Sequence, residues 1–238
     1  MNASLGKLYL IPTRLGDNPP LEVLPISVKK IIELVDDYIV ENEKSARRFI
    51  KKIHSRKSQA SLNLQLLNKY TQDHEIAHFL DICKDGKPMG LLSDAGCPGI
   101  ADPGADIVKL AHENNIKVIP LVGPSSIVLA LMSSGMNGQS FTFNGYIPIE
   151  KTERKASLKR MERLSYELNQ TQLFIETPYR NNKVIDEICS TLHPQTRVCI
   201  ACDITLPSEF IKTMTVNEWQ KVKVDLHKRP AIFLIHKD

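Results

Sequence analysis

Two stretches of this sequence concentrate the residue types that let a backbone approach a ligand. The first reads Leu91-Leu92-Ser93-Asp94-Ala95-Gly96-Cys97-Pro98-Gly99-Ile100-Ala101-Asp102-Pro103-Gly104, an apolar run ending in a loop dense in glycine and proline. Glycine permits close approaches that a side chain would block, and proline fixes the turn, so such a loop can present its amides and carbonyls to a small molecule. The second is Gly123-Pro124-Ser125-Ser126, placed between a predicted strand and a predicted helix. Either serine can cap that helix or bind a ligand through its hydroxyl. If the strands belong to a parallel sheet, both loops lie beyond their carboxyl ends, where open α/β sheets bind ligands. A plain strand-to-helix turn carries the same residue types, so the loops alone leave both readings open.

Other chemistries find little support. The seven histidines are dispersed, and neither an H-E-x-x-H pair nor a phosphate-binding G-x-x-x-x-G-K motif occurs. The first strand runs into Pro12-Thr13-Arg14-Leu15-Gly16, not the glycine pattern of a dinucleotide site. Cys199 and Cys202 form a C-x-x-C, but their odd spacing within a predicted strand points the thiols to opposite faces, which reads as buried strand. The five cysteines lack the paired spacing of a disulfide framework, and the segment before Leu8 lacks the charged and apolar regions of an export signal, so a reducing cytoplasm is expected. The formal charge of +4 admits an anionic partner without demanding one. Between Lys44 and Lys57, Arg47, Arg48, Lys51, Lys52 and Arg56 occur without an acidic residue, a candidate phosphate-tracking face or simply a solvated helix.

The elements that must position these residues follow from the periodicity. Short β-rich runs alternate with helical patterns, with strands expected at 8–13, 38–41, 89–93, 117–122, 141–147, 173–177, 197–203, 210–216 and 231–236. That alternation predicts an α/β chain with a mainly parallel sheet in its first half. Two strands without an intervening helix, 197–203 and 210–216, imply antiparallel pairing in the second. We therefore expect domains at 1–122 and 123–238. Helices are expected over 31–36, after Asp102 with Pro103 at the opening, over 127–134, and over 150–168 as an amphipathic surface helix. No apolar run reaches the length of a membrane span.

The order and spacing of "LLSDAGCPGIADPG" and "VIPLVGPSS" resemble the ribosomal RNA small-subunit methyltransferase I family within the tetrapyrrole methylases. "LYLIPTRLGD", "FNGYIP", "IETPYR" and "RPAIFLI" extend the resemblance over nearly the whole chain. The resemblance implies two α/β domains of the tetrapyrrole methylase fold (class III), usually in a homodimer, with S-adenosylmethionine bent into the cleft between them and S-adenosylhomocysteine as product. Family binding positions carry over to Pro12, Asp94, Ala95, Gly96, Pro98, Ile100, Ser125 and Ser126, and further to Thr177, Pro230 and Ala231. No metal is implied.

Departures bear on the acceptor. Relatives carry an "AEDTR" segment where this chain has Val40-Glu41-Asn42-Glu43-Lys44, and "ARELTK" where it has Ala201-Cys202-Asp203-Ile204-Thr205-Leu206. The first loop carries Arg14 and Asp17, expected near the acceptor pocket. A ribose hydroxyl needs a proton acceptor to become a nucleophile. Glu41, Lys44, Glu176, Arg180 and Asp203 are the candidates for that role or for positioning the acceptor, each weighed against a surface ion pair. Ribose 2'-O-methylation of small-subunit ribosomal RNA is the function implied. The alternatives are methylation of a small molecule such as a tetrapyrrole, and S-adenosylmethionine binding without catalysis.

Overall fold

The structure is a computed structural model and describes residues 4–238. The reading of the chain's start as free of an export signal falls partly on residues 1–3, outside the described ones. The chain divides into two compact units, the first ending at Ser125 and the second spanning Ser126–Asp238.

In the first unit, strands β1 (Lys7–Ile11), β2 (Asp37–Val40), β3 (Asn63–Leu66), β4 (Met89–Leu92) and β5 (Lys117–Pro120) form a parallel sheet in the order β3-β2-β4-β1-β5. Its helices are α1 (Pro20–Val23), α2 (Ile26–Leu34), α3 (Glu43–Ile53), α4 (Asp73–Ile76), α5 (Asp81–Lys84) and α6 (Ala105–Glu113). Alternate strand residues face opposite sides. Tyr9, Ile11, Tyr38 and Val40 meet Val28 and Ile32 of α2 and Phe49 and Ile50 of α3 on one face. Leu8, Ile39, Met89 and Leu91 meet Ile107 and Ala111 of α6 on the other. The helices that follow the neighbouring strands β1 and β4 thus cover opposite faces, so the chain leaves these two strands toward opposite sides of the sheet. Such a divergence opens a crevice in this kind of sheet.

Several expectations change here. Strand β3 is an addition to the expected strands: Asn-Leu-Gln-Leu is too short to establish a period, and it forms an edge paired with β2. Helix α2 runs Ile26–Leu34, not 31–36, because Pro25 sets its start and Val35 is already extended. Pro103 lies outside α6, whose N-cap is Gly104 at φ 138°.

The second unit contains α7 (Ser126–Ser134), β6 (Phe141–Tyr146), α8 (Lys151–Leu168), β7 (Thr171–Ile175), α9 (Asn181–Thr191), β8 (Arg197–Cys202), β9 (Phe210–Thr215), α10 (Val216–Trp219) and β10 (Ala231–His236). The sheet order is β6-β7-β10-β8-β9, with β6 and β7 parallel and the other pairs antiparallel. Every residue of the central β10 is buried, and Phe233 stacks on Phe174 at 5.3 Å. Cys199 and Cys202 are both buried, and burial raises both thiol pKa values, that of Cys202 to about 11. Helix α8 is more than a surface helix: its Arg154 is 2% exposed and binds Glu187 of α9 as well as the Ile149 carbonyl. Among the described residues, no helix is long and apolar enough to cross a membrane.

Candidate active site

A cavity of about 330 Å³ lies at the carboxyl end of the first unit's sheet. It is lined by residues 13–17 after β1, residues 92–95 at the end of β4, and Ser45, Ala46, Arg48 and Phe49 on the first turns of α3. The loops are locked together through their backbones. The Thr13 amide donates to the Gly96 carbonyl at 2.8 Å, and the Cys97 thiol lies 3.4 Å from the Pro124 carbonyl. Gly96 sits at φ +77°, a conformation glycine adopts without cost. Gly123 is needed for a different reason: a Cβ there would fall 2.2 Å from Cγ of Pro12. Gly123→Ala must therefore push apart the loops after β1 and β5. Because a shift of about 1 Å in a site can cost about 10²-fold in rate, we expect Gly123→Ala to stay folded but lose activity on that scale. Circular dichroism and turnover measured on the same preparation check this.

Asp17 and Asp94 are the acidic residues of its lining. The Asp94 amide donates to Glu41 at 3.0 Å, and the Ser45 hydroxyl donates to the Asp94 carboxylate. Asn42 caps α3 by accepting from the Ser45 amide at 3.1 Å, which fixes the first turn that carries these groups. Burial, reinforced by the charges of Asp102 and Asp94 and opposed by the Asp94 amide, pushes the Glu41 pKa up to about 7. Burial likewise raises that of Asp102, with a smaller contribution from Asp94, against the hydrogen bond of Ser93. Thr13 is 5% exposed, and its hydroxyl has no hydrogen-bond partner among the described residues. A buried hydroxyl left unpaired is costly, and a bound ligand would satisfy it.

The structure thus places Asp94 and Ala95 on one cavity, with Glu41 hydrogen-bonded to the Asp94 amide outside the lining and Pro12 and Gly96 in the supporting loops. Lys44 is exposed on the first turn of α3, and Ile100 is 54% exposed further along the loop that contains Pro98. Ser125 ends the first unit, and Ser126 opens α7 in the second. Arg14 and Asp17 line the same cavity, with Asp17 tied to Arg14 at 3.1 Å and to Lys52 at 2.5 Å. Sequence reasoning missed Thr13, Ser45, Arg48 and Ser93 as cavity residues, since only the fold shows which turns converge.

The basic segment after Lys44 is less free of acid than its sequence suggests. Arg47 pairs with Glu43, Lys52 with Asp17 and Lys57 with Asp36. Helix α3 ends at Ile53, so Arg56 and Lys57 lie beyond it. Among the described residues, Lys44, Arg48, Lys51 and Arg56 form no ion pair.

The remaining candidates gather in the second unit, where the ends of β7 and β8 flank the start of β10. Glu176 is buried, binds Arg180 at 2.5 Å and accepts the Thr177 amide at 2.6 Å. Its second oxygen and the Arg180 Nε are buried without partners among the described residues. Asp203, at φ 51°, binds Arg229 at 2.7 Å, and its amide donates to the Pro230 carbonyl at 3.0 Å next to Ala231.

No family model matches the chain. It is 29% identical over 233 residues to the ribosomal RNA small subunit methyltransferase I of Buchnera aphidicola subsp. Schizaphis graminum, covering 97% of this chain and 78% of that protein. To the protein of the same name from Vibrio cholerae it is 26% identical, covering 96% and 76%. Among solved structures, the methyltransferase CobJ matches with a TM-score of 0.64 at 13% identity, covering 98% of this chain and 94% of that one. A uroporphyrin-III C-methyl transferase from Thermus thermophilus, complexed with S-adenosylhomocysteine, matches with a TM-score of 0.55 at 15% identity, covering 98% of each chain. The fold is that of the tetrapyrrole methylases, the class III methyltransferase fold. Within that fold, the chain is similar over nearly its whole length to proteins named ribosomal RNA small subunit methyltransferase I.

Proposed function

We propose that the protein is an S-adenosylmethionine-dependent methyltransferase acting on a ribose 2'-hydroxyl of small-subunit ribosomal RNA, in the cytoplasm and as a homodimer. The observation that carries this reading is the first unit's cavity, lined by Asp94 and by Thr13, whose hydroxyl is unpaired among the described residues, with Glu41 held on the Asp94 amide, in a chain similar over nearly its whole length to proteins named ribosomal RNA small subunit methyltransferase I. The residues fit the cofactor. Carboxylates suit an ammonium, a sulfonium and ribose hydroxyls, and the glycine-containing loop brings backbone groups close to a ligand. Asp94, Ala95 and Gly96 with Pro12 and Pro98 would hold it, joined by Ile100 and Ser125 of the same unit.

When bound, the cofactor supplies an electrophilic methyl group on sulfur. The chain's own residues have three tasks: to align the acceptor oxygen for in-line attack, to exclude water, and to take up the hydroxyl proton. Glu41 is assigned the last. A carboxylate whose pKa lies near 7 is matched to proton transfer at neutral pH, and the Asp94 amide orients it. Lys44, Arg180 and Asp203 are assigned to acceptor positioning, with Glu176 holding Arg180 in place.

Calorimetric titration with S-adenosylmethionine and S-adenosylhomocysteine tests the reading, followed by radiolabelled methyl transfer to small-subunit ribosomal RNA. Asp94→Ala is expected to weaken cofactor binding by about tenfold or more, the range for losing a hydrogen bond to a charged group. Folded wild-type protein that binds neither compound would sink the assignment. Binding with transfer only to a small acceptor would move the substrate away from RNA.

A further inference from the structure

We propose that the exposed ring of Tyr179, cornered by His227 and Lys228, is a stacking platform for an unpaired base of the RNA substrate. This rests on the reading of the protein as an RNA methyltransferase and adds how that substrate is gripped.

Two loops meet at one end of the second unit's sheet: residues 176–180 after β7 and residues 225–230 before β10. Their mutual scaffold is polar. The Lys228 amide donates to the Pro178 carbonyl at 3.0 Å, and Asn181 Nδ2 donates to the Arg229 carbonyl at 2.6 Å. Asn182 accepts the Leu226 amide at 2.7 Å and donates to Asp225 at 2.9 Å. None of these bonds uses the aromatic rings.

The rings are instead displayed. Tyr179 is 70% exposed, with the His227 ring 6.0 Å away at 75° and the Lys228 ammonium 5.9 Å from its centroid. Lys228 adopts φ 60°, a left-handed conformation uncommon for a residue with a side chain and typical of positions fixed by their surroundings. At such separations the contacts bury little apolar area, so holding the loops together does not account for them. Two nearly perpendicular rings form a corner, and the exposed Tyr179 ring offers area on which a base can stack.

The charge around the corner fits a polyanion. Among the described residues Lys228 and Lys183 form no ion pair, while Glu176 and Asp203 are neutralised by Arg180 and Arg229. Asp225 stays ionised, held by Asn182 and the His227 amide, and offsets part of this charge, leaving the two lysines in excess. Aromatic faces beside cations are how single-stranded RNA is held, since each unpaired base offers a flat surface and each phosphate a charge.

The test is a titration with short single-stranded RNA carrying 2-aminopurine, whose fluorescence is quenched on stacking. Wild type is expected to bind and quench. Tyr179→Ala should bind roughly 5- to 150-fold more weakly without quenching, whereas Tyr179→Phe and Tyr179→Trp should retain both. Thermal melting and S-adenosylhomocysteine affinity should match wild type in all three variants. The platform is overturned if Tyr179→Ala binds and quenches as wild type, or if it loses S-adenosylhomocysteine affinity, which would assign the ring to the cofactor. Wild-type protein that binds no RNA would take down the RNA reading itself, and the platform with it.

Discussion

Glu41→Gln is expected to slow methyl transfer by about 10²–10⁴-fold, the usual contribution of a positioned proton acceptor. The substitution keeps the shape of the side chain and an oxygen able to accept the Asp94 amide, so the loop after β4 should hold its place. Cofactor affinity should therefore change far less than turnover. The pH profile is the sharper readout. Only the ionised carboxylate accepts a proton, so the wild-type rate should rise through a midpoint near 7, where burial, Asp102 and Asp94 have moved this group. That limb should vanish in the glutamine variant. A folded pKa raised above the unfolded value also means that the native state holds the proton more tightly. The group's contribution to stability then declines as pH climbs from the ordinary carboxylate range to about 7, and is level above it. Glu41→Gln should flatten that part of the stability curve. A variant with wild-type turnover and an unchanged pH limb would remove Glu41 from the reaction.

Glu187→Ala should produce the largest loss of stability. Its carboxylate meets the Arg154 guanidinium with both side chains almost wholly removed from solvent, and the same guanidinium also satisfies the carbonyls of Pro148 and Ile149. Removing one partner strands a buried charge, at a cost of about 3–5 kcal/mol. For a chain of this size that corresponds to a fall of roughly 6–20 °C in Tm. Replacing both, as Arg154→Met with Glu187→Leu, should recover much of the loss, since an apolar pair needs no compensating charge. Arg154 holds the Glu187 carboxyl below its ordinary pKa. The stabilisation is therefore complete above the unfolded carboxylate value and fades as pH falls through the depressed folded one. The gap between wild type and Glu187→Ala should narrow in acid. Calorimetric melting across pH reads both effects, and a Tm within about 2 °C of wild type, less than the shift for 1 kcal/mol, would show the pair to be energetically idle.

The sequence by itself determined the α/β alternation, because a buried strand and an amphipathic helix each leave a period readable over a few residues. It also determined the glycine and proline loops, since residues 91–104 and 123–126 combine backbone freedom and fixed turns in a way few segments do. Glu41 is named by the resemblance, as the acid matching the relatives' "AEDTR" segment. The rest was decided by tertiary structure. The edge strand β3 owes its place to pairing with β2, which its four residues do not encode alone. The acids that neutralise Lys52 and Lys57 come from Asp17 and Asp36, outside the basic segment, so its bare charge overstated the free cationic face. Thr13, Ser45 and Arg48 became cavity residues only when the turns after β1 and β2 converged beyond the sheet. Arg154 reads as one more surface cation until α9 places Glu187 against it. Local periodicity is written in neighbouring residues. The pairing of distant polar groups, and the pKa shifts that follow from burial, exist only once the chain has brought them together.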